Sequence, residues 1–350
     1  MDFLQYTAGI DDDGRRLDRV IRIFLNEVPM SEIYKLIRKG LIRLNGKKTE
    51  CSTRIKKDDV LQIAKSIAAA PLISVQPDSG SGAIAENIHF DDVFKNEHIR
   101  IINKPYGVSV HGGGNSSAVS LEQIVKQQFA REQAEKQDKD NKSLSFRPGP
   151  LHRIDRHTTG LVVFSQSLEG AKVFSRMLQS HAIKKEYLAV LCGNLSGTET
   201  WEDIISDATD KADVIIEKKS AFHTVRVCDE NEKQNGKKAR SKATPVAHGL
   251  YDGIEITLAL IEIETGRKHQ IRSQCAYHGH PLLGDTAYGG KNPSGIDGHF
   301  LLHAWRMTFH ADNELCLPEV ITAPLPTNFQ FFIKNHLSLY EISNYNILSI

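Results

Sequence analysis

Residues 151–164 read Leu151-His152-Arg153-Ile154-Asp155-Arg156-His157-Thr158-Thr159-Gly160-Leu161-Val162-Val163-Phe164. The string changes character at Gly160: mostly polar and charged before it, continuously apolar after it. A short apolar run after a glycine suits a buried strand. A polar loop feeding a rigid strand is a common place for functional side chains. Its single carboxylate, Asp155, has Arg153 and Arg156, His152 and His157 around it. Positive neighbours favour the charged form of an Asp, so Asp155 stays ionised. A lone Asp in such company more often makes a structural salt bridge or a cap. The density of polar residues ahead of the apolar run is what makes it a candidate for chemistry.

Three further stretches carry polar residues in suggestive order. Asn103-Lys104-Pro105-Tyr106-Gly107 leads through His111 into Gly112-Gly113-Gly114, which predicts a tight turn after a buried strand. Lys184-Lys185-Glu186-Tyr187-Leu188-Ala189-Val190 reads as a strand in which Tyr187 is core filler or an aromatic face for a base. Thr265-Gly266-Arg267-Lys268-His269-Gln270-Ile271-Arg272 concentrates positive charge beside a strand end, and Arg272 can grip a carboxylate or phosphate with two bonds. His278, His280 and Asp285 follow it. They raise a metal-dependent hydrolase as a rival, but no clustered third ligand accompanies the two histidines, and no metal is expected.

Toward the N-terminus the pattern is that of a separate small module. Leu17, Val20, Ile21, Phe24 and Leu25 recur at helical spacing. After Val28-Pro29-Met30, Ser31 is a candidate cap for a second helix that stops at Gly40. Leu41 to Leu44 predicts a strand running into an Asn45-Gly46 turn, and Val60 to Ile63 predicts its partner. Residues 68–85 have the Pro, Gly and Ser content of a linker. The expected organisation is a small domain over 14–75, a linker over 76–86 and a larger domain over 87–340. In the larger one, predicted strands at Phe94–Ile102, Gly160–Phe164, Tyr187–Leu191 and Glu255–Glu264 mix with a helix at Leu168–His181. That mixture argues for an α+β fold with a mixed, largely antiparallel β-sheet and flanking helices. Gln127 to Lys142 is expected as helix end plus loop. Asn231 to Lys242, with Lys237, Lys238, Arg240 and Lys242, is expected as a polar loop that meets RNA or simply faces water.

The net charge of +1 hides an asymmetry. From Arg15 to Lys65 there are 14 Lys and Arg against 6 Asp and Glu. A basic module in a chain that is otherwise mildly acidic suits a polyanionic partner. The five cysteines are scattered without a CxxC pair, as expected in a reducing compartment. Neither a signal peptide nor a run of 18 apolar residues is apparent, so a cytoplasmic protein without a membrane span is expected.

Taken together, these strings resemble the RluA-type pseudouridine synthases. That family's HRLDxxTSGLLL signature is answered by His152 to Leu161, its GRTHQIR string by Gly266 to Arg272, and its GHPxxGD string by Gly279 to Asp285. NKPxGxxVH is answered by Asn103 to His111, K-x-Y-x-A-x-x-x-G by Lys185, Tyr187, Ala189 and Gly193, and the C-terminal LHA by Leu302-His303-Ala304. Ile154, Thr159 and Ser273-Gln274 depart from the usual residues. The N-terminal segment resembles an S4 RNA-binding domain, and the set looks most like the RluC branch, which acts on large-subunit ribosomal RNA.

The resemblance implies isomerisation of uridine to pseudouridine without a cofactor. It assigns Asp155 the essential role, with Tyr187 and Arg272 as catalytic companions. It places Arg153, His152, Thr158, Lys104, Arg267, His269 and Gln270 around the substrate. Through the S4 pattern it gives Arg16, Ser31, Tyr34, Lys35, Arg38, Lys39, Arg43 and Asn45 to RNA binding. Ribosomal RNA is the expected partner and a monomer the default state. The rival is a non-catalytic RNA-binding or ribosome-assembly protein.

Overall fold

The computed structural model describes residues 2–25, 28–68, 88–112, 119–135, 143–207, 225–228, 236–292, 299–338 and 347. The expected linker over 76–86 lies outside the described residues, as do 113–114 of the glycine run, 136–142 and 231–235. Two compact units emerge. One combines Met1–Ile88, Gly112–Gly149 and Ser165–Lys172; the other combines His89–His111, Pro150–Phe164 and Val173–Ile350.

The first unit contains β1 (Phe3–Thr7), α1 (Leu17–Phe24), α2 (Met30–Lys39), β2 (Ile42–Leu44), β3 (Val60–Ala64), α3 (Lys65–Ala68) and α4 (Leu121–Glu135). β3 is the middle strand of an antiparallel three-stranded sheet, between β1 and β2. Leu17, Val20 and Ile21 of α1, Ile33 and Ile37 of α2, and Ile42, Leu61 and Ile63 of the sheet form one buried core. The stripe spacing in both helices puts these side chains on one face. Helix α2 starts at Met30, one residue before the expected cap; Pro29 occupies the cap position with its fixed φ, and no side-chain cap bond forms. Gly40 ends α2 at φ 73°, in the left-handed region that favours glycine.

This unit also takes in residues far along the chain, beyond the expected 14–75. Asp12, buried, accepts the backbone N–H groups of Gly9 (2.9 Å), Leu144 (2.8 Å) and Ser145 (3.0 Å), and the Ser143 hydroxyl at 3.1 Å. A buried carboxylate needs such donors to offset its lost hydration. Leu144 then joins the core of the first unit.

The second unit holds β4 (Asp91–Lys95), β5 (Ile99–Lys104), β6 (Thr159–Ser165), α5 (Leu168–Gln179) from Val173 onward, β7 (Lys184–Cys192), β8 (Glu199–Asp207), β9 (Val225–Val227), β10 (Lys237–Tyr251), β11 (Ile254–Ile263), α6 (Gln270–Tyr277), β12 (Leu302–Thr308), β13 (Val320–Thr322) and α7 (Thr327–His336). The strands form a ten-stranded sheet in the order β4-β5-β6-β12-β7-β11-β10-β8-β9, with β13 beside β12. β12 runs parallel to β6 and antiparallel to β7, and the β7–β11, β11–β10 and β10–β8 pairs are antiparallel.

Two expectations need correction. The run Phe94–Ile102 is a hairpin, not one strand: Asn96 accepts the N–H groups of His98 and Ile99 at 2.9 Å each and turns the chain. Lys237 to Lys242 belong to β10 rather than to a loop, where Ala239, Ser241 and Ala243 point inward between exposed Arg240 and Lys242. Arg240 is paired there with Glu202 and Glu264.

Alternation along β7 sorts the core from the site. Leu188, Val190 and Cys192 pack with Leu258 and with Phe329, Phe332 and Ile333 of α7. Tyr187 is offset by one residue, so it faces the other side of the sheet.

Candidate active site

Asp155 sits on the loop that enters β6, and that loop is fastened at several points. Leu151 N–H donates to Val163 O at 2.8 Å, and Val163 N–H donates to His152 Nε2 at 3.1 Å. Thr158 N–H closes a turn onto Asp155 O at 3.1 Å. Arg156 ties the loop to the turn after β5: its Nε donates to Gly107 O at 2.7 Å, and its carbonyl accepts from Gly107 N–H at 3.0 Å.

Gly160 is required by close approach. It stands at φ 104°, and a Cβ there would lie 2.2 Å from Ala304 O on the parallel strand β12. Next to it, Thr159 Oγ1 and His303 Nδ1 are 2.7 Å apart in the interior. Burial pushes the His303 pKa down to about 4, so the imidazole is neutral.

Around Asp155 the structure gathers eight of the ten residues expected at the catalytic centre: Asp155, Arg153, Thr158, Tyr187, Arg267, His269, Gln270 and Arg272 line one cleft. The other two, Lys104 and His152, do not line it. Lys104 is fully buried, and its ammonium donates to the carbonyls of Pro105 (2.9 Å), Val108 (2.8 Å) and Arg156 (3.0 Å). Burial pulls its pKa down to about 7 while the charge of Asp155 pulls it back up. Three acceptors call for three N–H bonds, which only the ammonium form supplies. Burial, helped by Lys185, holds His152 down to about 3, so it is a neutral acceptor for Val163. Both residues brace the loop that carries Asp155.

The Asp155 carboxylate is about one-fifth exposed (18%) and has two basic neighbours. Arg272 Nη1 is 3.6 Å from Oδ2, and His269 Nε2 is 3.8 Å from Oδ1. Arg272 is itself held by three residues. Its Nε and Nη2 donate to the buried Asp285 at 2.7 and 2.8 Å, and its guanidinium lies 4.7 Å from the Tyr288 ring and 4.6 Å from the Phe300 ring. Burial alone would lower its pKa; the bonds and charge of Asp285, with Asp155, outweigh it and raise the net value. His269 caps α6, with Nδ1 2.8 Å from the Tyr288 hydroxyl. Burial keeps its pKa below the ordinary imidazole range, against the pull of Asp155. Burial likewise raises the Tyr187 phenol, which stays protonated across the neutral range.

Tyr288 and Phe300 are not among the expected site residues, and the sequence raises Asp285 as a site residue only with the two histidines of the rival hydrolase. The Gly284-Asp285-Thr286-Ala287-Tyr288 string held the available signal: an acid and an aromatic beside an arginine-rich segment. The hydrolase arrangement does not assemble. Asp285 holds Arg272, and His278 pairs with Asp203 at 3.0 Å while stacking on Trp201. Ser273 and Gln274, where the sequence departs from the family pattern, turn inward; Gln274 bonds Ser241 and Asp203. Two roomier hollows exist in this unit, of about 230 and 720 Å³, but neither contains Asp155.

In the first unit, Ser31, Tyr34, Lys35, Arg38 and Lys39 are exposed on α2, opposite the buried Ile33 and Ile37. Arg16 instead grips the buried Asp18 with two bonds, of 3.1 and 2.7 Å. Arg43 donates to Gly40 O and lies over the Phe3 ring. Asn45 closes its turn by accepting from Val60 N–H and donating to Asp59.

Comparison with known proteins bears on the family. Residues 98–277 match the family described as RNA pseudouridylate synthase, and residues 15–61 match the S4 domain. A ribosomal large subunit pseudouridine synthase C of Vibrio parahaemolyticus is 27% identical over 329 residues, 92% of this chain and 93% of that one. A ribosomal large subunit pseudouridine synthase D of Nitrosomonas europaea is 26% identical over 331 residues, 92% and 84% of the two chains. The solved structure titled human RNA pseudouridylate synthase domain containing 1 shares the fold, with a TM-score of 0.52 at 21% identity over 69% of this chain and 86% of that chain. With just over half of its residues matched by that family and an S4 domain ahead of them, the chain belongs to the RNA pseudouridylate synthases.

Proposed function

We propose that this enzyme converts particular uridines of large-subunit ribosomal RNA to pseudouridine, with Asp155 as its catalytic carboxylate. The observation that carries the reading is a solvent-reachable Asp155 with Arg272 at 3.6 Å and His269 at 3.8 Å. The ribosomal substrate is favoured by the similarity of nearly the whole chain to synthases of the C and D types. The run from Val110 to Gly113 favours the C type, as the RluC-like motifs do.

The reaction breaks the bond from N1 to C1′ and makes one from C5 to C1′. C5 gives up its proton and N1 gains one. Electrons and atoms balance within the nucleotide, so the protein acts with its own side chains and without a cofactor. Asp155, with the Arg272 guanidinium 3.6 Å away, faces the sugar of a uridine swung out of its stack. The same placement serves attack on the sugar or base, or stabilisation of a cationic sugar with removal of the C2′ proton. Tyr187, a protonated phenol on the sheet face of the cleft, offers a flat surface to the detached base and a hydroxyl for proton transfer. Arg153, exposed on the same loop, supports the RNA stack the uridine leaves. Arg267 and Gln270 border the cleft, where Arg267 Nε is held by Lys238 O and Gln270 by Arg240 O.

Flipping a base costs a few kcal/mol, which contacts elsewhere on the RNA offset. The exposed α2 face contributes such contacts through phosphate neutralisation. Among the described residues no helix is long and apolar enough to cross a membrane. The site of action is the cytoplasm, and the working form is a monomer.

The test is tritium release from ribosomal RNA labelled at C5 of uridine, because isomerisation must free that hydrogen. The wild-type chain releases tritium; Asp155→Asn binds the RNA and releases none. Turnover by the Asn variant at a substantial fraction of wild type would remove Asp155 from the role.

A further inference from the structure

Asp155 has two neighbours, and one side chain touches both of them. Tyr288 lies in the 3-10 turn Thr286–Tyr288, just past Asp285. Its ring lies 4.7 Å from the Arg272 guanidinium, and its hydroxyl lies 2.8 Å from His269 Nδ1. The same hydroxyl accepts the Val225 N–H of β9 at 2.9 Å. Tyr288 thus has three contacts, and two of them lead to the residues that face the carboxylate.

The proton on His269 can be placed from these contacts. A neutral imidazole carries one N–H and one bare nitrogen, and the partner at one nitrogen fixes the other. The groups bearing charge around this ring are Asp155, Arg272, Lys268 and Asp285. Nε2 faces Asp155 Oδ1 at 3.8 Å. A proton on Nε2 turns a positive N–H toward the carboxylate, whereas a bare Nε2 would turn a lone pair toward it. The carboxylate therefore favours Nε2–H, and Nδ1 is left to accept. The Tyr288 hydroxyl, already accepting from Val225, has one proton to give and gives it to Nδ1. Burial supports both assignments, holding His269 neutral and pushing the Tyr288 phenol up to about 12. A separation of 3.8 Å is longer than a hydrogen bond, as catalytic contacts often are before substrate arrives. The backbone agrees with a functional constraint: His269 takes φ 52° and ψ 22°, which a residue without glycine's freedom rarely adopts.

We infer that Tyr288 is a positioning residue for the isomerisation: its hydroxyl locks His269 as the Nε2–H tautomer that faces Asp155, and its ring holds Arg272 against the same carboxylate. Asp155 then has a neutral donor at Oδ1 and a cation at Oδ2. The inference rests on the reading of Asp155 as the catalytic carboxylate.

The experiment uses the full chain labelled with 15N-histidine, free of RNA, with the His269 signals identified by their loss in His269→Gln. In the wild type, His269 shows a protonated Nε2 and a bare Nδ1. Tyr288→Phe keeps the ring over Arg272 and removes the hydroxyl. In that variant the tautomer preference relaxes toward a mixture. On ribosomal RNA its kcat falls about tenfold at unchanged KM, the worth of one hydrogen bond to a charged or polarised group. Tyr288→Leu, which also removes the ring, falls further. The other histidine signals report whether each variant is folded.

Three results overturn the inference: a wild-type His269 protonated at Nδ1, a Tyr288→Phe variant with the wild-type tautomer, or one with wild-type kcat. The tautomer is read without turnover, so it stands apart from the role of Asp155. If Asp155→Asn proved active, that role would fail while the His269 measurement kept its meaning.

Discussion

Arg272 serves two carboxylates at once. It binds Asp285 through two parallel bonds of 2.7 and 2.8 Å and leaves Nη1 3.6 Å from Asp155. Asp285 is only 2% exposed, so without Arg272 it is a buried charge with its main partner gone. Arg272→Met is expected to lower stability by about 3–5 kcal/mol. The double variant Arg272→Met with Asp285→Leu removes both charges and should regain most of that loss. Neither variant regains tritium release, because Asp155 has lost its cation. Urea unfolding and the release assay, run on the same preparations, separate the two roles.

Gly160→Ala tests the crossing of β6 and β12. Alanine there meets Ala304 O at 2.2 Å and is forced to keep φ near 104°. The backbone penalty alone is about 1–3 kcal/mol, and the collision adds to it. A loss of at least about 2 kcal/mol in urea unfolding is expected, with a matching fall in activity as the Asp155 loop shifts.

Acid should destabilise the fold through the buried His303 and the half-buried His152. His303 is held down to about 4 and His152 to about 3, each against an ordinary value of 6.5. Between those values and 6.5 the unfolded chain binds more protons than the folded one. Stability from these groups is therefore complete above about pH 6.5 and drains away as pH falls toward 4 and then 3. For His303 alone the loss amounts to about 3 kcal/mol over that range. Urea midpoints measured from pH 7 to 4 should fall steeply, and His303→Gln should start lower and fall less.

The exposed face of α2 is expected to set a salt dependence. Replacing Lys35, Arg38 and Lys39 with Gln removes three cations from that surface without touching Ile33 or Ile37. RNA affinity should weaken for all sequences alike, and the slope of log K against log salt should shrink by about 2. Filter binding at several salt concentrations measures it; an unaltered slope would show that these side chains do not meet phosphate.

Much of this molecule was legible in its residues. The apolar spacing of Leu17, Val20 and Ile21, the Gly40 stop and the Asn45-Gly46 turn all carry local rules that packing did not override. The loop-to-strand change at Gly160 drew attention to Asp155, which does lie on the loop that enters β6. Direction was harder to read. His152 stands in the same string as Asp155 and Lys104 in another of the family strings, yet both turn into the scaffold, and residue type alone does not reveal which way a side chain faces. The strand at Lys237–Lys242 hid behind its charge, although its small residues alternate with period two. The β4–β5 turn lacked glycine and proline and relied on Asn96. The Asp285–Arg272–Tyr288 assembly depends on contacts 13 and 16 residues apart in sequence, which only the folded chain brings together.

The two rings that enclose Arg272 bear on how such an enzyme survives its own substrate. A polynucleotide is a dense array of phosphates, and every mobile guanidinium it passes is a potential captive. Tyr288 and Phe300, each against the guanidinium, and Asp285 with its two bonds all hold this side chain in place. A guanidinium already committed to Asp285 and two rings has less to offer a passing phosphate, which keeps it beside Asp155.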